Sequence, residues 1–176
     1  MMNFPGEIFM NTIAVLQQAD IFHDLTPPQL KRLNDILIEK RYRVGETIFR
    51  ENDASDELYV IASGEIEILV DPSLVSDQRD APSNPTTIAT LRRGQSFGEV
   101  ALVDRGVRSA TARSAADTHL LVLKRDALTT LCDEDAELGY QLMSNLAADL
   151  SMKIRTADLT IREKLLYASR HATKAS

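Results

Sequence analysis

One cysteine, Cys132, is all that the 176-residue chain carries, so no intramolecular disulfide can form, and its apolar neighbours mark an inert packed thiol rather than a nucleophile. Nowhere is there a run of about 18 apolar residues, the length a membrane-spanning helix needs. Glu7 stands where a signal peptide would place positive charge ahead of a long apolar stretch, so a soluble cytoplasmic protein without a membrane partner is expected. An excess of positive charge is missing as well. Twenty Lys and Arg against 26 Asp and Glu leave a formal charge of −6, which works against a general nucleic-acid surface, because such surfaces cluster cations to displace counterions. One local cation could still hold a small anion. His23, His119 and His171 lie scattered in different kinds of segment and give no support to a metal centre. No arrangement of Ser, His and Asp has a nucleophile motif either, so neither a cofactor nor catalysis is expected.

What is present is an apolar fraction of 44%, enough to bury the core of one ordinary domain with appendages. Phe9, Ile13, Val15 and Leu16 fall at near-helical spacing and predict a short amphipathic helix over residues 8–22. Thr26-Pro27-Pro28-Gln29 announces a second helix, with Thr26 as cap, Pro27 at the first position and Gln29 closing a capping box, followed by the stripe Leu30, Leu33, Leu37. From Arg41 the pattern changes to short β-like runs: Thr47-Ile48-Phe49, residues 58–62, the alternation Glu65-Ile66-Glu67-Ile68, residues 87–91, residues 109–113 and residues 119–123. Gly45, Gly64 and Gly94 mark turns, and residues 71–85, with three prolines, read as a long hairpin loop. Many short strands with turn signals imply a β-roll or barrel. Beyond Asp126 the period becomes helical: Leu138, Leu142, Leu146, Leu150, Ile154, Ala157, Ile161 and Leu165 predict a long helix, bent or broken, whose stripe either packs on its own core or pairs with a second subunit.

The chemistry concentrates in Phe97-Gly98-Glu99-Val100-Ala101-Leu102 and in Arg108-Ser109-Ala110-Thr111. Gly98 lets the backbone approach a ligand without a Cβ, and a helical turn starting near Glu99 would aim free N–H groups at an anion. Arg108 offers a planar fork of donors suited to two phosphate oxygens, a charge-assisted contact worth roughly 1.5–3 kcal/mol net.

With its spacing and supporting glycines, this segment resembles the phosphate-binding cassette of the cyclic-nucleotide-binding domain, the family of catabolite activator proteins and protein-kinase regulatory subunits. Gly45 with Ile48-Phe49, the run Leu58-Tyr59-Val60-Ile61-Ala62-Ser63-Gly64-Glu65-Ile66, and Gly94 before Phe97 are similar to the family's turns and strands, in order. The resemblance implies a mainly β fold with flanking α: a jelly-roll-like β-roll with N-terminal helices and a long C-terminal helix. It divides the chain into an N-terminal helical segment (1–24), the roll (25–126) and lid or output helices (127–176).

By the same resemblance the ligand is a cyclic nucleotide, cyclic AMP favoured over cyclic GMP. Glu99 would accept from the ribose 2′-hydroxyl, Arg108 would pair with the exocyclic phosphate oxygens, and Ser109 would add a hydroxyl contact. Backbone amides along Gly98, Val100, Ala101 and Ala110 would complete the cradle. Lys153, Arg155 and Thr156 are the nearest polar candidates for the base, on the helix that would close over it. Val107 replaces a common proline and Asn52 a common turn glycine, which Asn tolerates because it visits left-handed backbone. A DNA-binding helix-turn-helix would follow the long helix in some relatives, but residues 155–176 are too short for one, so DNA is not expected as a partner. The competing expectation is a ligand-independent scaffold whose Arg108 and Glu99 pair with each other or face solvent.

Overall fold

The protein was analysed as a computed structural model, which describes residues 11–71, 85–100, 103 and 106–172. Residues 8–10 of the expected first helix, 72–84 of the expected loop, and Ala101 and Leu102 of the cassette lie outside the described residues.

Helix α1 (Thr12–Gln18) starts at Asn11, whose side chain accepts from the Ala14 N–H at 3.3 Å. The expected single helix to residue 22 is interrupted: Ala19 is extended, and a separate 3₁₀ turn, Asp20–Phe22, puts both Ile21 and Phe22 into the core. Helix α2 (Pro27–Asp35) begins as its sequence predicts, with proline in the first turn and the Thr26 N–H donating to Gln29 Oε1 at 2.9 Å. Leu30 and Leu33 are buried, while Leu37 falls beyond the helix end.

Eight strands follow: β1 (Ile38–Tyr42), β2 (Thr47–Phe49), β3 (Glu57–Ser63), β4 (Glu65–Val70), β5 (Thr86–Arg92), β6 (Ser96–Phe97), β7 (Thr111–Ser114) and β8 (Thr118–Lys124). They form two antiparallel four-stranded sheets, ordered β1-β8-β3-β6 and β2-β7-β4-β5. Two expectations are corrected. β1 gave no strand signal because Ile-Glu-Lys-Arg-Tyr is mostly polar, as suits a sheet edge. The strand expected from Ser109 begins at Thr111, because Ser109 and Ala110 are held in a bend.

The central strands β3 and β8 are covered on both faces, which explains their continuous apolar runs. Leu58, Val60, Ala62, Leu121 and Leu123 face a helical layer with Leu16, Phe22, Leu33, Leu138, Leu142 and Leu146. Their neighbours Tyr59, Ile61, Leu120 and Val122, with Phe97 of β6 beside them, face the second sheet through Ile66, Leu91 and Ala112.

Helix α3 (Arg125–Glu134) runs into helix α4 (Ala136–Ala172), and the break between them is at Asp135, whose carboxylate accepts from the Leu138 N–H at 3.0 Å. The 37 residues of α4 extend about 55 Å at 1.5 Å per residue. Only its first turns lie on the roll's own core, through Leu138, Leu142 and Leu146, while Asn145 ties them to the His23 carbonyl at 2.7 Å. Ile154, Ile161 and Leu165 of the expected stripe are exposed. Among the described residues no helix is long and apolar enough to cross a membrane.

Candidate functional site

Arg108 is only 4% exposed, although it carries a guanidinium. The backbone that positions it leaves β-structure briefly: Arg108 N–H donates to the Asp53 carbonyl at 2.9 Å, and its own carbonyl accepts from Asn52 at 2.8 Å. Asn52 turns the chain there with a φ of +69°. Burying such a charge costs several kcal/mol unless it is compensated, and the surrounding roll compensates it. Nη1 donates to the Gly98 carbonyl at 3.2 Å and Nη2 to the Glu57 carbonyl at 3.0 Å. The guanidinium also sits 4.0 Å from the Phe49 ring centre and 5.2 Å from that of Tyr59. Burial draws the Arg108 pKa down, and nearby Tyr59, Glu57 and Asp56 oppose that shift, so the group stays a cation at neutral pH. Its Nε is buried and has no hydrogen-bond partner among the described residues. An orphaned donor of this kind calls for an acceptor.

Glu57 and Tyr59 brace this arrangement. The Glu57 carboxylate takes Lys40 Nζ at 2.8 Å and the Tyr59 hydroxyl at 2.5 Å. Burial pushes the Glu57 carboxyl up, but those two donors outweigh it and hold it below its ordinary range. Burial and the Glu57 carboxylate together push the Tyr59 phenol well up, so it remains a donor. Tyr59 in turn stacks on Phe97 at 4.9 Å.

Gly98 lies beside the guanidinium in left-handed backbone, φ +83°. A Cβ there would run into Arg108 Nη1 and come within 3.0 Å of the Glu57 carbonyl, so the position demands glycine twice over. Next along the chain, the Glu99 carbonyl accepts from the Val103 N–H at 3.2 Å.

Glu99 is 5% exposed. Its carboxylate accepts from Lys153 Nζ, on α4, at 3.1 Å; the same ammonium donates to the Ser96 carbonyl at 3.0 Å and meets Asp149, one turn back on its own helix, at 2.7 Å. The site thus has a buried cation fixed by the roll, a buried carboxylate next to Gly98, and a helix that reaches across to that carboxylate. Such a set can hold an anion next to a hydroxyl-bearing group.

The model of the cyclic nucleotide-binding domain matches residues 39–135, more than half of the chain. The chain belongs to the cyclic nucleotide-binding domain family. The cyclic AMP receptor protein of Thermus thermophilus is 32% identical over 146 residues, covering 83% of this chain and 62% of the relative. A crystal structure of Thermus thermophilus catabolite activator protein superposes with a TM-score of 0.67 at 30% identity, over 82% of this chain and 62% of that one. A cyclic nucleotide-binding domain from Methylobacillus flagellatus shares the fold, with a TM-score of 0.74 at 24% identity over 86% and 81% of the two chains. This chain therefore spans less than two thirds of the Thermus relative's length.

Within this cyclic nucleotide-binding domain the residues expected from the sequence are distributed unevenly. Gly98, Glu99 and Arg108 come together at one end of the roll, and Lys153 joins them from α4. Val100 and Ser109 are exposed, Ala110 is half-buried, and Ala101 lies outside the described residues. Arg155 and Thr156 are exposed, with the Thr156 hydroxyl turned onto the Met152 carbonyl of its own helix at 3.0 Å. Arg108 and Glu99 neither face solvent nor depend on each other: the first donates to carbonyls, the second accepts from Lys153. Sequence reasoning missed Glu57 and Asp149 as members of the site. Glu57 lies 51 residues before the arginine it supports, and no local pattern reveals such a contact.

Proposed function

We propose that the chain is a cyclic-nucleotide receptor module that binds without catalysing, takes cyclic AMP in preference to cyclic GMP, and signals through displacement of α4. The observation that carries the reading is the buried Arg108 guanidinium, whose Nε has no partner among the described residues, beside the left-handed Gly98 and the buried Glu99. A cyclic phosphodiester brings one negative charge, matched by one arginine, and the ribose 2′-hydroxyl finds its acceptor in Glu99. The preference for adenine rests on the name of the Thermus relative, a cyclic AMP receptor. A ligand moves α4 only by its differential affinity for two helix positions, and Lys153 supplies a contact through which that difference can act.

A second element of the proposal concerns assembly. Tyr140, Met143, Ala147, Leu150, Ile154, Ala157 and Ile161 follow steps of three and four along a face of α4 distinct from Leu138, Leu142 and Leu146, and all are exposed except half-buried Leu150. That spacing is a coiled-coil seam, and a parallel homodimer would cover it. Calorimetric titration with cyclic AMP and cyclic GMP tests the receptor reading. Saturable 1:1 binding with cyclic AMP the tighter supports it, and no heat with either nucleotide favours the ligand-independent scaffold. Glu99→Ala should weaken binding, with little further loss for a 2′-deoxy ligand, since both changes delete one hydrogen bond.

A further inference from the structure

The Lys153 ammonium and a ribose hydroxyl would need the same buried carboxylate. Glu99 is 5% exposed, and the donor in contact with it is a lysine from a helix 54 residues away in sequence. We propose that Lys153 is a competitor for the ribose position: it satisfies Glu99, the 2′-hydroxyl must displace it, and Lys153 thereby sets how strongly the site prefers ribose over 2′-deoxyribose. This rests on the receptor reading above.

Three features support the exchange. Lys153 is one-third exposed, side-chain 32% against 7% for Glu99, so its flexible stem has room to withdraw while the carboxylate has none. Asp149 already lies 2.7 Å from the ammonium on the same helix, so withdrawal does not strand the cation. The other anchor, the Ser96 carbonyl at 3.0 Å, belongs to the strand leading into Gly98 and Glu99, so the lysine is tied to the cassette at two points that loosen together. Displacing it frees α4 from the roll about two turns beyond Leu146, the last of the leucines that pack on the core.

The consequence separates this role from a simple ligand contact. Removing Lys153 takes a positive charge away from an anionic ligand, which by itself weakens every cyclic nucleotide equally. It also leaves the Glu99 carboxylate buried without its ammonium, a group that a 2′-hydroxyl then satisfies at no competing cost. The ratio of affinities for cyclic AMP and 2′-deoxy cyclic AMP cancels the charge effect and keeps the competition.

The full chain and its Lys153→Met and Lys153→Arg variants are titrated with both nucleotides by calorimetry. The ribose preference should rise by about tenfold or more in Lys153→Met, the size of a hydrogen bond to a charged group, and return toward the wild-type ratio in Lys153→Arg. An unchanged or lower ratio in Lys153→Met overturns the proposal. Spin labels at Ile88 and Thr160, in a Cys132→Ser background, give a readout that needs no ligand: Lys153→Met should broaden the distance distribution between roll and helix. If wild type binds neither nucleotide, the receptor reading fails; the tether is then sustained by that broadening and overturned by an unchanged distribution.

Discussion

Two buried charges lie at one end of this roll and are accommodated in opposite ways. Arg108 is held entirely by the roll: two backbone carbonyls, two aromatic faces and a carboxylate braced behind it by Lys40 and Tyr59. Glu99 depends on a side chain from another element, Lys153 on a helix whose distal turns leave the core. Fixed dipoles that do not reorganise make a pre-organised anion site. A partner on a withdrawable helix makes a responsive one. Under the proposed function, phosphate capture falls to Arg108 and response to the Lys153–Glu99 contact.

The largest effect should come from the rigid end. Arg108→Ala is expected to lower cyclic-nucleotide affinity at least a hundredfold, about 3 kcal/mol, while circular dichroism shows a folded protein, because it removes the phosphate partner and no core apolar volume. Retained affinity in a titration would end the assignment of this end as the anion site.

Gly98→Ala tests whether that end tolerates any displacement. Its Cβ would push the guanidinium off its carbonyl partners in backbone that already favours glycine, so binding should fall about tenfold and stability by about 1–3 kcal/mol. A denaturant melt together with a titration measures both, and near-wild-type values would mean the guanidinium has room to move.

On the helix side of the comparison, Ile154→Glu combined with Ile161→Glu places like charges on the exposed face of α4. Sedimentation should show the loss of a dimer, while ligand affinity changes no more than about threefold, since neither residue supports Arg108. A dimer that survives would locate assembly elsewhere.

The smallest effect concerns Glu57. Its carboxyl is held below its ordinary value of 4.5 in the folded protein, so it adds stability that is fully present above pH 4.5 and is lost as pH falls through the lower folded-state value. Glu57→Gln should therefore be less stable than wild type at neutral pH, and the difference should shrink on acidification. Melts from pH 7 downward that keep a constant gap would show that the brace behind Arg108 is not electrostatic.

Much of the roll is legible residue by residue. Thr47-Ile48-Phe49, the double-faced runs of β3 and β8, the Gln29 contact at Thr26 and the left-handed Asn52 are local facts of side-chain pattern and turn chemistry. The cassette is legible too, because a glycine, a carboxylate and a guanidinium at fixed spacing sit within one short segment. β1 gave no signal because an edge strand can be polar, and the expected break of the long helix had no legible position because the Asp135 carboxylate caps α4 with little interruption in the apolar period.

By itself, then, the order of residues determined the short strands with their turn glycines and the long apolar period of the final helix, since each follows from period along the chain; Arg108 and Glu99 stood out through the resemblance of their segment to the cyclic-nucleotide-binding cassette. Tertiary structure alone decided what satisfies those charges. The Glu57 carbonyl meets Arg108 across 51 positions and Lys153 meets Glu99 across 54, and only the packing of α4 beside the cassette brings that ammonium to that carboxylate. It also decided where the apolar period of α4 divides: Leu138, Leu142 and Leu146 reach the sheet, and beyond Leu146 the helix runs past the edge of the core it could cover.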